Sequence, residues 1–148
     1  MKRIAMMILG LLSLAAPVLS APRPAAKFDA VLGHYEAMRQ VLLTDSITGI
    51  QGHATAIAKL GKAAPPDLAP LINAAAAKLA AAKDLNAARG AFAELSKPLV
   101  RWRDAAGAKG TIVAFCSMTK KSWLQPKGEI GNPYYGKSMP RCGEVVSK

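Results

Sequence analysis

The sequence predicts a mainly α fold, an antiparallel four-helix bundle followed by a short C-terminal β-hairpin and loop tail. Three observations predict it. Apolar residues recur at three- and four-residue steps between Phe28 and Trp102. Alanine is abundant from Ala21 to Ala108 and returns only once, at Ala114. Beyond Trp102 the chain turns rich in Gly, Pro, Lys and aromatic residues. Four amphipathic helices on short loops can bury their stripes only against one another, which is the logic of a bundle.

The first twenty residues read as an address rather than as structure. Lys2 and Arg3 precede an apolar run from Ile4 to Ala16, and Pro17-Val18-Leu19-Ser20 follows as a cleavage region. This is the pattern of a secretory signal peptide, and the run is shorter than the ~20 residues that span a bilayer. Cleavage after Ser20 leaves residues 21–148 as a single domain, with a bundle at about 25–106 and a tail at 107–148. The expected location is the periplasm, with no transmembrane anchor after cleavage. That compartment is oxidising, which bears on the two cysteines.

Each helix has its own marks. Phe28, Val31, Leu32, Tyr35, Met38 and Leu42 form one face of the first. Asp45 or Ser46 is placed to cap a second, with Ile47, Ile50, Ala54, Ile57 and Leu60 on its face. Pro65-Pro66-Asp67 breaks the chain before a third helix bearing Leu68, Leu71, Ile72, Ala75 and Leu79. Asp84 is a cap for the fourth, whose stripe is Leu85, Ala88, Phe92, Leu95, Leu99 and Trp102. Pro98 lacks an N–H and is expected to kink that helix or end its regular part. In the tail, Thr111–Cys116 suits a short strand, and Ser122–Gln125 can pair with it across Thr119–Lys121.

Composition narrows the chemistry. The chain has 148 residues and a formal charge of +11. Residues 97–148 carry ten basic and three acidic groups, so most of the net charge left after cleavage lies in the last third of the chain. Export argues against nucleic acid as the partner, and the basic face instead suits an acidic protein or anionic surface. Two His exclude a three-histidine zinc centre, and two Cys are too few for a disulfide scaffold or an all-cysteine metal site. No P-loop, dinucleotide fingerprint, hydrolase elbow, H-E-x-x-H or Cys-x-x-Cys motif is present, and the sequence points to no catalytic residue and no enzyme.

The sulfur residues carry the strongest pattern. After the signal peptide only Met38, Met118 and Met139 remain, and two of these adjoin the only cysteines, as Cys116-x-Met118 and Met139-x-x-Cys142. In an extended segment Cys116 and Met118 would project to one face. Two thiolates and two thioethers make a soft ligand set that selects Cu(I) or Ag(I) over Zn(II). A Cys116–Cys142 disulfide, with the methionines as packing, is the alternative; closing a loop of this length stabilises by roughly 3–4 kcal/mol. Lys120, Lys121, Lys137 and Arg141 are expected to favour thiolate over thiol. His34 and His53 are further candidate ligands, since imidazole suits copper. Trp123, Tyr134 and Tyr135 are expected to pack the tail or shield the site. Arg89 is expected to pair with Asp45 or to anchor the tail by donating to its carbonyls.

The tail motifs Phe115-Cys116-Ser117-Met118, Trp123-Leu124-Gln125, Ile130-Gly131-Asn132-Pro133-Tyr134-Tyr135-Gly136, Met139 and Cys142-Gly143 keep a distinctive order. With Tyr35, Leu42, Asp45, Arg89, Phe92 and Ser96 upstream, the chain resembles a bacterial periplasmic family of unknown function. Domains of that family occur alone or fused to the adaptors of copper/silver RND efflux pumps. The family pattern runs approximately C-P-M, W-L-Q, I-x-N-P-Y-[FY]-G-x-x-M and C-G; here Ser117 stands for the usual Pro, and the link from Met118 to Trp123 is shorter. The resemblance implies a helical bundle with a Cys/Met tail associated with copper, with Cys116, Met118, Met139 and Cys142 as candidate ligands and an efflux adaptor or other periplasmic protein as partner. The expected function is Cu(I) or Ag(I) binding for metal tolerance or delivery. Its alternative is a non-catalytic interaction module with a disulfide-locked tail and a basic partner-binding face.

Overall fold

A computed structural model describes residues 24–148; the expected signal peptide and its cleavage point at Ser20 lie outside the described residues. The fold is mainly helical, with a small antiparallel sheet near the C-terminus. The helices are α1 (Pro24–Leu43), α2 (Ile50–Leu60), α3 (Ala69–Ala81) and α4 (Leu85–Ala106). α1 packs against α2 and α4, and α3 packs against the same two. The α1 stripe enters the core as periodicity predicts: Phe28, Val31, Tyr35, Met38 and Leu42 are fully buried. Aromatic pairs fasten α1 to α4, with Tyr35 stacked on Phe92 at 4.4 Å and Phe28 edge-on to Trp102 at 5.6 Å. Such pairs add to their area burial because the positive edge of one ring meets the negative face of another.

Three expectations about the helices need correction. Neither Asp45 nor Ser46 caps α2, which begins after Gly49 in a left-handed conformation with φ 82°. The Asp45 carboxylate is held instead by the Arg89 guanidinium at 2.6 Å, while the Ser46 hydroxyl accepts from the Thr48 N–H. Of the two outcomes expected at Pro98, an end to the helix is ruled out: α4 runs through it, from the Asp84 cap, whose Oδ1 accepts from the Ala87 N–H, to a left-handed Gly107. Burial of Leu95, Leu99 and Trp102 on both sides of the proline opposes its helix penalty of about 3 kcal/mol. Leu71 is half exposed, because the buried face of α3 follows Ile72, Ala75, Ala76 and Leu79.

The sheet has β1 (Thr111–Cys116) in the middle, flanked by β2 (Lys121–Pro126) and β3 (Glu144–Ser147). β1 and β2 form the expected hairpin, in register from Thr111↔Pro126 to Cys116↔Lys121. β3 was not expected: four residues near the C-terminus are too few for a periodic signal. It pairs with the other edge of β1 through Ala114↔Val145 and Phe115↔Glu144. A central position explains why β1 reads as an unbroken apolar run.

The sheet is fixed to the helices by β2 on α4 and by a buried polar seam. The Tyr35 hydroxyl lies 2.6 Å from Ser96 Oγ and accepts from the Leu124 N–H at 3.2 Å. Burial raises the Tyr35 phenol far above its ordinary range despite those bonds, so it remains a neutral hydroxyl that links α1, α4 and β2.

Candidate metal centre

Cys116 is the last residue of β1 and Cys142 follows a turn in which its N–H bonds the Met139 carbonyl. The fold brings their sulfurs to 3.2 Å across 26 residues of sequence. Cys116 is fully buried and Cys142 half-buried. Sheet pairing accounts for the first placement and one asparagine for much of the second. Asn132 Nδ2 donates to the Cys142 carbonyl at 2.7 Å, the Asn132 N–H donates to the Pro140 carbonyl, and Oδ1 accepts from the Tyr134 and Tyr135 N–H groups. This Asx-turn closes the 132–142 loop on itself. Gly143 then passes with φ 148° against the Trp123 ring and the Phe115 carbonyl, where a Cβ would clash with the ring.

Against Gly143, the residue after Cys142, lies an aromatic floor. Trp123 is fully buried, edge-on to Tyr134 at 5.9 Å, and its Nε1–H donates to Gln125 Oε1 at 2.9 Å. The same Gln125 oxygen accepts from the Gly131 N–H, and its amide donates to the Glu129 carbonyl. Tyr134, also buried, donates to the Ser122 carbonyl at 2.7 Å, and burial raises its phenol well above the ordinary value. Tyr135 is half-buried. Arg89 donates from Nε to the Pro133 carbonyl at 2.8 Å and from Nη2 to Asp45 and to the Leu42 carbonyl, tying the Asn-Pro loop to α1 and α4.

The two thioethers stand apart in kind. Met139 is half-buried one turn from Cys142. Met118 does not share a strand face with Cys116: β1 ends at Cys116, residues 117–120 form the hairpin turn with Lys120 at φ 55°, and Met118 is 63% exposed. An extended geometry was the condition for a common face, and a four-residue connection between paired Cys116 and Lys121 removes it. His34 and His53 do meet, with Nδ1 atoms 3.0 Å apart on α1 and α2. Among the described residues no three His, Cys, Asp or Glu side chains cluster, so any soft centre here rests on the thiol pair and its methionines.

Electrostatics divide the two thiols. Burial pushes the Cys116 thiol up, but the Thr119 N–H, the Cys142 thiol, the Thr119 hydroxyl and the Met118 N–H favour charge on sulfur more strongly and bring it from 9.0 down to about 7. Those donors, rather than the neighbouring lysines, lead the effect; Lys121 sits over the Tyr134 ring at 5.2 Å and Arg141 pairs with Glu129 at the surface. The Cys142 thiol is raised, first by its bond to Cys116 and then by burial. One proton thus leaves early, from Cys116, and the other is retained by Cys142. Since the folded value of Cys116 lies below the unfolded one, stability rises between pH of about 7 and 9.0 and is lost as pH falls back through 7. An ultraviolet thiolate titration of the reduced protein is expected to show a first midpoint near 7, absent in Cys116→Ser.

Sequence reasoning missed the residues that place these groups. Arg39, 5% exposed on α1, pairs with Glu36 and donates to the Gly131 carbonyl at 2.7 Å. An arginine one step from a buried methionine on an apolar face was the available signal. Gln125 and Asn132 stand in the tail motifs, whose order alone does not reveal the bonds their side chains make. Beside the hairpin turn, a cavity of about 340 Å³ opens between α4 and the turn, lined by Glu94, Lys97, Lys120 and Lys121 among others. Comparison with protein-family models, curated proteins and solved structures gave no match.

Proposed function

We propose that this chain binds a soft monovalent ion, Cu(I) or Ag(I), outside the cytoplasm, for metal tolerance or delivery to an efflux system. The observation that carries the reading is the 3.2 Å approach of the Cys116 and Cys142 sulfurs, where neighbouring donors favour charge on Cys116. A thiolate is the form that ligates, and binding releases its proton. The pair lies about 1 Å beyond a covalent sulfur–sulfur bond of ~2.05 Å. It is closer than the roughly 3.8–4.6 Å that two sulfurs span across an ion at metal–sulfur distances of ~2.3 Å. Opening it to that span is a short movement of Cys142, on its surface turn. Met139 is then the third donor, and Met118, on the exposed turn, is the group that hands the ion to or from a partner. Trp123 and Tyr134 exclude water from beneath. We read the four helices as an antiparallel four-helix bundle whose task is to hold this tail. The motif resemblance to periplasmic domains associated with copper/silver efflux supports the same assignment. Export by the N-terminal signal and a non-catalytic role complete it.

A second reading has its own support. The same sulfur approach suits a disulfide in an oxidising compartment, and the lysines around the cavity beside the hairpin suit an acidic partner. Native mass spectrometry of the tag-free protein, before and after reduction, separates the two. Metal binding predicts one tightly held Cu(I), weakened by roughly tenfold or more in Met139→Leu, the order seen when groups supporting a metal are removed, and little changed in equilibrium affinity by Met118→Leu. A mass short of the dithiol form by two hydrogens, with no copper uptake after reduction, selects the interaction module. Tight uptake unchanged in both methionine variants leaves the thioethers without a role.

A further inference from the structure

The imidazoles of His34 and His53 face each other across the α1–α2 contact, Nδ1 to Nδ1 at 3.0 Å and ring centroids at 5.3 Å. Both rings are half-buried. The pair is supplied by α1 and α2 alone, and neither ring takes part in the sulfur centre. Each histidine follows an exposed glycine, Gly33 and Gly52, with open space where a side chain would stand. Since neither histidine is fully buried, solvent reaches the pair. Among the described residues no third His, Cys, Asp or Glu joins it.

The separation of the nitrogens bears on which ion would suit them. Two imidazoles at ~2.0–2.1 Å from a tetrahedral ion stand about 3.3–3.4 Å apart, whereas adjacent positions of a square plane stand about 2.8–3.0 Å apart. The 3.0 Å observed is a hydrogen-bond separation between the two rings, nearer the square-planar edge than the tetrahedral one, and a bound ion would take the place of the shared proton. Square-planar or tetragonal nitrogen and oxygen sites select Cu(II) or Ni(II). A modest rotation of each ring turns the two lone pairs onto a common point, and water fills the remaining positions. We infer that His34 and His53 form a second metal site, independent of the thiols, for a square-planar divalent ion of the Cu(II)/Ni(II) class.

The test uses the Cys116→Ser/Cys142→Ser protein without an affinity tag, so that thiol oxidation and the sulfur centre play no part. Cu(II) is the probe. One equivalent is expected, with electron paramagnetic resonance showing an axial spectrum split by two imidazole nitrogens, and that signal is expected to vanish in both His34→Gln and His53→Gln. A second measurement needs no histidine variant: the chain has only two His, and substoichiometric Cu(II) should broaden both imidazole proton resonances together. Absence of uptake, an unchanged spectrum in either variant, or broadening of one ring without the other would overturn the site.

Discussion

Trp123→Ala is expected to destabilise the protein by about 3–5 kcal/mol, the range for removing a large aromatic from a close-packed interior. The ring is fully buried, meets Tyr134 edge-on, and spends its N–H on Gln125, which in turn holds the Gly131 N–H and the Glu129 carbonyl. Gly143 lies directly against it. Loss of the ring thus leaves a cavity, strips one bond from Gln125, and removes the support under the residue after Cys142. Thermal or denaturant unfolding would measure the first effect. The second should appear as weaker Cu(I) retention under conditions where the variant remains folded. A change under about 1 kcal/mol, well below the usual cost of emptying a core site, would mean that the tail does not depend on this floor.

Arg89→Ala is expected to be strongly destabilising. Its guanidinium joins three segments: α4, the end of α1 through the Leu42 carbonyl and Asp45, and the Asn-Pro loop through the Pro133 carbonyl. Loss of charge-assisted bonds to the two carbonyls costs about 2–3 kcal/mol. The Asp45 carboxyl is held below its ordinary value by the Arg89 bond first of all, against desolvation and with help from the Lys137 N–H. A depressed carboxylate contributes stability above its unfolded value of 3.8 and loses it as pH falls through the folded value. Arg89→Ala should therefore flatten the acid limb of the stability curve as well as lower the plateau. Arg89→Lys should recover little, because one ammonium cannot reproduce the guanidinium fork that reaches the Pro133 carbonyl and Asp45 together. Unfolding curves of the two variants between pH of about 3 and 7 would show both effects, centred on the range where carboxylates titrate.

Helices and their buried faces were legible because periodicity is a local signal. The faces of α1 and α4 could be read residue by residue, from Phe28 to Leu42 and from Ala88 to Trp102. Errors fell where a distant group decides the outcome. Asp45 looks like a cap until Arg89, 44 residues away, takes its carboxylate. Pro98 looks like a terminator until burial on both sides outweighs its missing hydrogen bond. β3 exists because β1 has a free edge for it, which its own four residues do not announce.

The site was legible in part for the same reason. Four sulfurs in two pairs could be counted, whereas the turn at 117–120 that sends Met118 outward depends on strand register. Cys142 is positioned by Asn132, whose side chain reaches across ten residues to the Cys142 carbonyl. Arg39, on a helix face that otherwise reads as core, holds the Gly131 carbonyl from 92 residues away. Spacing along the chain reveals which chemistry is present; convergence is set by side-chain to backbone bonds that no local pattern encodes.

Whether the two thiols hold the ion is decided by the copper X-ray absorption spectrum of the reduced protein loaded with one equivalent of Cu(I). The expected spectrum has a first shell of sulfur alone, contributed by Cys116, Cys142 and Met139, and loses that shell in Cys142→Ser. A spectrum dominated by nitrogen or oxygen ligands, or one that Cys142→Ser leaves unchanged, would contradict a thiol-held ion.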